Sequence, residues 1–476
     1  MGQPLQRILR LTCELALAGG ALSLLLSASF AAEPPPNVYA ANTGAVPGRC
    51  GAELPPPGTV IDAHNVGRYD CYLPAASTAV VKHGFKIRIV GTHKFEWPKG
   101  FKDATEKYSP QVHLDNEDNL TSYIAGMPFP LVNVYDPEAA RKIAYNWHMG
   151  PFMPDDFSLK PWGSFGYSDS GGTSKKPVYS EPDYTFICDQ FNFLRHAHRT
   201  ELDPRPTLGT NAQQLEWKAR CSNWNVESEV HGGQSIWMRF LDPHHADENF
   251  VYFPSTRRIR RGVIPPPYVN HECRECHQPY WAYALPKTEA YLYRLLGTTP
   301  ILACMTADDE PAGLVGRDDK APEGNLLAAS EKVAMGEEPY EMRSAYIIEM
   351  IPTDANYINL RSIIWIDNET YVWLGAEFFQ SNRKTEIPEL QEIASPLWRT
   401  RPAPESGNLF DLAGSFYLPL PYQPALPAHP EPAGFSQENQ KRWFFRSVVP
   451  NHGAFDQKIN AGSPDESIFS PRSLGN

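Results

Sequence analysis

Apolar and polar positions along the chain change period several times, and each change marks a different kind of element. Arg7 and Arg10 precede an apolar run from Leu11 to about Leu26, and small residues then lead to Ser29-Phe30-Ala31. This order predicts a secretory signal peptide over residues 1–31. Cys13, Glu14 and Gly19-Gly20 interrupt the run, which argues against a retained membrane anchor. Residues 32–57 are rich in proline and glycine and predict an extended arm. Residues 85–90 read as a strand. Asp136-Pro137-Glu138 offers a cap, a proline at the first helical position and an acid in the first turn. Ala140, Ile143, Ala144 and Trp147 follow at helical spacing, and Gly150 can stop the helix. Residues 151–182 are polar and read as irregular. Residues 235–241, 250–253, 346–351, 363–366 and 371–374 read as antiparallel strands, with 242–249 joining the first pair and 367–370 a turn before the last.

The strands do not alternate cleanly. Ile236-Trp237-Met238 and Ile363-Ile364-Trp365-Ile366 are apolar on both faces, so both faces must be covered. A filled sandwich meets that demand, and so does a curved sheet packed on a helix with a cavity inside. Either way the fold class is α+β and β-rich. The 46 prolines predict long loops, and no stretch beyond the signal is apolar enough to span a bilayer, so the mature protein is expected to be soluble or peripheral. The formal net charge of −12 disfavours a nucleic-acid partner. The one basic run, Arg257-Arg258-Ile259-Arg260-Arg261, reads as the solvated end of a strand.

Seven cysteines follow the signal peptide. Cys50 with Cys71, and Cys188 with Cys221, are disulfide candidates by separation and compartment, although spacing alone does not fix connectivity. Cys273-Arg274-Glu275-Cys276-His277 is the attachment pattern of a c-type haem. Two thiols three positions apart reach the two haem vinyl groups, and the adjacent imidazole falls beneath the iron. Chance supplies roughly 0.004 occurrences of this pattern in a chain of this composition. Other chemistry uses the same residues: a Cys273–Cys276 disulfide, or a zinc site that adds His271. Met305 is a sixth-ligand candidate, weighed against an ordinary core methionine. His196 and His198 alternate and could bind metal, but read first as solvated surface residues. No hydrolase motif or phosphate-binding loop is present, and no catalytic nucleophile is assigned.

Several stretches in order resemble the domain-of-unknown-function family 1329 of Gram-negative envelope proteins. They include Pro56-Pro57-Gly58-Thr59-Val60-Ile61-Asp62-Ala63-His64-Asn65, Asp103-Ala104-Thr105-Glu106-Lys107-Tyr108 and Gly126-Met127-Pro128-Phe129-Pro130. The helix near Trp147 follows, then Arg239-Phe240-Leu241-Asp242-Pro243, and Tyr252-Phe253-Pro254 running on to Arg261. Tyr293-Arg294-Leu295-Leu296-Gly297, residues 363–370 and Phe469-Ser470-Pro471-Arg472-Ser473-Leu474 complete the order. The resemblance implies the curved half-barrel of the outer-membrane lipoprotein carriers, with an apolar groove for an acyl chain or other hydrophobic molecule. It implies no catalytic residues. Where family members carry an acidic segment and a Gly-Phe-x-Gly-Lys-like stretch, this chain has the haem motif.

The expectation is therefore a signal peptide, an arm, and one large domain over residues 58–476 with a haem-motif insertion at 262–287. One covalent haem c would transfer electrons to a redox partner protein, on a scaffold that binds a lipid-like ligand in the periplasm or peripherally at the outer membrane. The alternatives are a non-redox carrier or chaperone for lipids or lipoproteins, in which Cys273 and Cys276 form a disulfide or metal site, and a haem oxidoreductase acting on a hydrophobic substrate.

Overall fold

The computed structural model describes residues 53–82, 84–160, 162–168, 184–226, 231–264, 287–307, 337–355, 357, 359–381, 388–403, 407–419, 442–448, 456–462 and 464–475. Strand β1 (Val60–Ile61) leads into helix α1 (Ala75–Lys82) and β2 (Lys86–Ile89). Helix α2 (Lys99–Tyr108), the small hairpin of β3 (His113–Leu114) and β4 (Leu120–Thr121), and helix α3 (Ala139–His148) follow. A first series of strands comprises β5 (Asp156–Lys160), β6 (Trp162–Ser168), β7 (Tyr184–Arg195), β8 (Leu215–Val226), β9 (Gln234–Phe240), β10 (Asp247–Phe253) and β11 (Arg258–Ile264). The second comprises β12 (Tyr291–Ala303), β13 (Glu337–Pro352), β14 (Asn359–Asp367), β15 (Trp373–Ser381), β16 (Pro388–Ala403), β17 (Gly407–Pro419), β18 (Arg442–Val448) and β19 (Asp456–Ile459).

Apart from the β3–β4 hairpin, these strands form one 17-stranded sheet. Chain neighbours pair antiparallel from β6 through β11 and again from β12 through β18. The two series join where β6 pairs with β18 and β5 with β19. Among the described residues β11 and β12 are each paired on one side only, as are the short strands β1 and β19, so both long strands lie at edges of the sheet. The fold is α+β and β-rich, a curved antiparallel sheet packed on helices, as expected.

Registers place α1 and α3 on opposite faces. Arg294, Glu349, Ile363, Glu377 and Ile393 lie opposite one another across β12 to β16, and Ile393 packs in one core with Ala76, Val80 and Val81 of α1. That outer core also holds Phe85, Ile87, Tyr340, Leu397 and Phe416, and Ser77 Oγ meets Ser395 Oγ at 2.8 Å within it. Pro74 at the start of α1 approaches β15 so closely that a Cβ on Gly375 would lie 2.9 Å from the proline ring. On the inner face Arg141 of α3 stacks over Tyr293 at 5.0 Å and donates to the Thr288 carbonyl at 2.7 Å. Tyr145 donates to Glu289 at 2.8 Å.

Every residue from Ser362 to Ile366 is buried, which bears out the reading that both faces are covered. Ala140, Ile143, Ala144 and Trp147 are buried too, as their spacing predicts, but α3 starts at Ala139. Asp136 acts one turn earlier, where its side chain accepts from the Glu138 N–H at 2.9 Å. Residues 151–182 are not irregular throughout, because β5 and β6 lie there. Their alternation was hidden by spacing: in β6, Trp162, Phe165 and Tyr167 stand among glycines and serines. The strands predicted at 250–253, 346–351, 363–366 and 371–374 run longer than expected, that at 235–241 has its predicted length one residue earlier, and that at 85–90 is shorter, while β11 continues to Ile264.

Candidate functional site

Of the residues singled out from sequence, Cys273, Cys276, His277, His271 and Cys50 lie outside the described residues. Cys71 is disulfide-bonded. Cys188 and Cys221 form a disulfide between β7 and β8, with Cα atoms 5.9 Å apart. Met305 is fully buried just beyond β12, and Thr400 Oγ1 donates to its carbonyl at 2.8 Å. Arg258, Arg260 and Arg261 are exposed, as expected of a solvated strand end. The reading of His196 and His198 as solvated is overturned. His196 is 4% exposed, and His198 is half-buried, with Nδ1 2.8 Å from the Ile124 carbonyl and its ring 4.7 Å from that of Tyr123. Burial lowers both histidines to about 4, so both are neutral at pH 7.

His198 belongs to a buried polar cluster where α3 ends against β7, β8 and β9. The register slips between Leu215 and Trp217, and this irregularity frees Glu216 from strict alternation. Its carbonyl accepts from the N–H groups of His196 and Ala197, and its carboxylate lies 3.4 Å from Nε2 of His148, the last residue of α3. Burial would raise the Glu216 pKa, but His148, Arg239 and His198 outweigh it and hold the carboxyl well below the usual range. Beside it, Arg239 stacks over Trp217 at 4.8 Å and reaches Asp247 Oδ2 through Nε at 3.1 Å and Nη2 at 3.0 Å. Lys287 donates to the carbonyls of Asp242 and His245. Burial lowers the Lys287 pKa against the pull of Asp247.

Arg195, the last residue of β7, stands apart in this cluster. It is 2% exposed, its Nη1 donates to the Met153 carbonyl at 3.1 Å, and its Nε and Nη2 have no partner. Its place is fixed by the turn that follows: Asp155 accepts from the N–H groups of Thr200, Glu201 and Leu202, and the Asp155 carbonyl accepts from the Arg195 N–H. Two indole N–H groups, of Trp147 on α3 and Trp237 on the inner face of β9, are also buried without an acceptor. The arrangement offers donors and fixed charge but no activated nucleophile. Among the described residues, no group of three or more His, Cys, Asp and Glu side chains is placed to hold a metal ion.

Sequence reasoning missed Arg195, Glu216, His148, Arg239, Asp247 and Lys287. Each reads as an ordinary polar position, and only the slip at Glu216 and the close of α3 turn them toward one another. The signal present was the charge inside apolar strands, as in Leu215-Glu216-Trp217 and Trp237-Met238-Arg239.

A family model described as protein of unknown function (DUF1329) matches residues 60–384. No curated protein matches the chain. Among solved structures it is similar to a domain from Vibrio parahaemolyticus described as that of an outer membrane lipoprotein-sorting protein. The identity is 12% over 71% of this chain and 99% of that one, with a TM-score of 0.40. A DUF1329 family protein from Desulfovibrio piger is 10% identical over 70% of this chain and 96% of its own, with a TM-score of 0.36. A LolA superfamily protein from Nitrosomonas europaea is 9% identical over 70% of this chain and 99% of its own, with a TM-score of 0.35. Likeness at this level assigns no ligand. No helix among the described residues is long and apolar enough to cross a membrane.

Proposed function

The chain belongs to the DUF1329 family of proteins of unknown function, and from that premise we propose that it is an exported carrier that holds a hydrophobic, lipid-like molecule against the inner face of its sheet. The observation that carries this reading is a disproportion between sheet and cover. Strands spaced about 4.8 Å apart make a 17-stranded sheet tens of ångströms wide. Helix α3, the helix packed on the inner face, has 10 residues and is about 15 Å long. Trp217, Trp237 and Phe193 line that face beside Arg195; all four are buried beneath the short helix and the loops around it, so a guest reaches them by parting that cover from the sheet. A curved sheet that closes around an apolar guest satisfies such a face. The site of action is the periplasm or the periplasmic side of the outer membrane, reached by the signal peptide read over residues 1–31. Protein expressed with its own leader and purified without detergent should carry about one extractable apolar molecule per chain, seen by native mass spectrometry. A chain that is ligand-free and takes up no lipophilic fluorescent probe would overturn the carrier.

A second reading rests on the motif at Cys273, Cys276 and His277. It adds one covalent haem c with His277 as proximal ligand and Met305 as candidate sixth ligand, so that the carrier also exchanges electrons with a partner protein. The test is absorbance after periplasmic expression. A Soret band that survives denaturation supports the haem; its absence leaves the non-redox carrier, with the two cysteines stapling a loop or holding a metal.

A further inference from the structure

Among the described residues, two buried arginines meet acids and a third meets several neutral acceptors. Arg343 contacts Asp367, Glu341 and Glu369, Arg239 contacts Asp247, and Arg220 is bonded through Nη1 and Nη2 to Ile468, Gln234 and Ser473. Arg195 is as deeply buried as Arg343 or Arg239 but makes no salt bridge, and an arginine is almost never fully buried without a partner. The anions around it are committed elsewhere. Glu216 faces His148, Asp155 is taken by three backbone N–H groups, and Asp156 accepts from Ala461. The neighbouring Tyr123 hydroxyl donates to the Gly126 carbonyl, and His198 Nδ1 is held by Ile124.

The two unpartnered nitrogens, Nε and Nη2, form the side-on edge of the guanidinium, whose parallel N–H groups match the two oxygens of a carboxylate. Register sets Arg195 in one transverse row of the inner face with Trp217 and Arg239, and the aromatic Phe193 and Trp237 lie in the next row. Trp147 and Trp237 also present indole N–H groups without acceptors.

We propose that Arg195 is the receptor for the carboxylate head of a long-chain acid whose apolar tail lies along the aromatic inner face. This rests on the carrier reading and narrows it from hydrophobic molecules in general to acidic amphiphiles.

The probes are cis-parinaric acid, its methyl ester and butyrate, titrated by fluorescence or competition against the full mature protein. Wild type is expected to bind the acid about tenfold more tightly than the ester, a loss of one charge-assisted pair. Butyrate should compete weakly or not at all, because a free small carboxylate lacks the tail; butyrate as strong as the acid would overturn the amphiphile. Arg195→Met should erase the acid-over-ester preference while leaving ester affinity unchanged, and Arg195→Lys, which keeps charge but not the fork, should fall between. Equal binding of acid and ester by wild type overturns the carboxylate receptor and leaves the carrier standing. Failure of both probes to bind wild type removes the carrier and the inference with it. Without ligand, Arg195→Met should melt at or above the wild-type temperature, because an unpaired buried charge has been removed. A variant that melts well below wild type or does not fold makes Arg195 a structural residue and overturns the assignment.

Discussion

Glu377 shows how one carboxyl can set a pH response inside an apolar sheet. It lies on β15, 6% exposed, with Oε2 unpartnered, and burial against only partial help from Arg361 pushes it up to about 7. A raised carboxyl stabilises the fold fully below its unfolded pKa near 4.5, and that stability is lost as pH rises through about 7. Glu377→Gln resembles the protonated acid, so it should match wild type near pH 4.5 and exceed it at pH 8 by on the order of 3 kcal/mol. Urea unfolding at the two pH values checks this; a difference that stays flat across pH would contradict it. His196 and His198 act in the opposite sense: lowered from 6.5 to about 4, they contribute stability above 6.5 that is lost as pH falls toward 4. None of this was legible in the sequence. The alternation Leu194-Arg195-His196-Ala197-His198 reads equally well as a wet edge, and the predicted strand stopped at Leu374, short of Glu377.

Among the elements, the C-terminal segment contributes more than its irregular composition suggests. Residues 464–475 lie across β8 to β10 on the face opposite Arg239. There Arg220 donates to the Ile468 carbonyl at 2.6 Å and to Ser473 Oγ at 2.7 Å, and Lys218 reaches Glu466 at 3.3 Å. Phe469 is fully buried, Leu474 is 5% exposed, and Gly475 lies so close to Tyr252 that a Cβ would fall 2.8 Å from its ring. Truncating that anchor by Phe469→Ala should cost roughly 3–4 kcal/mol in chemical denaturation, as for other fully buried phenylalanines. A loss under 1 kcal/mol would mean that the segment is only loosely applied. The stretch was noticed in the sequence through its family resemblance, whereas its packing was not, since Pro471-Arg472-Ser473 has no period to read. Strands with unbroken apolar runs, such as β14, were legible because burial on both faces leaves them no polar alternation. β5 and β6 were missed because Asp156, Ser158, Gly163 and Gly166 dilute the signal.

For the whole molecule, the sequence conveyed the class and the two-sided burial but not where the strands that flank the motif-bearing stretch lie in the sheet. The described chain stops at Ile264 on β11 and resumes at Lys287 before β12, and both of these residues lie beside Asp247. Ile264 is opposite Asp247 in the β10–β11 register, and Lys287 Nζ bonds the carbonyls of Asp242 and His245. Replacing 265–286 by a Gly/Ser linker of about eight residues, which spans up to roughly 28 Å, should therefore preserve the melting temperature and uptake of lipophilic probes. Any haem would be lost with it. Collapse of folding on this replacement would instead make the stretch part of the core. The join of β5 and β6 to β19 and β18 has a consequence for biogenesis. As the chain emerges from its N-terminus, β5 and β6 appear long before their partners β19 and β18, which arrive nearly last. Until then the early strands have one open ladder and an apolar surface, and pairings this distant in sequence form slowly. Between emergence and completion, the nascent chain itself presents an apolar face that needs protection.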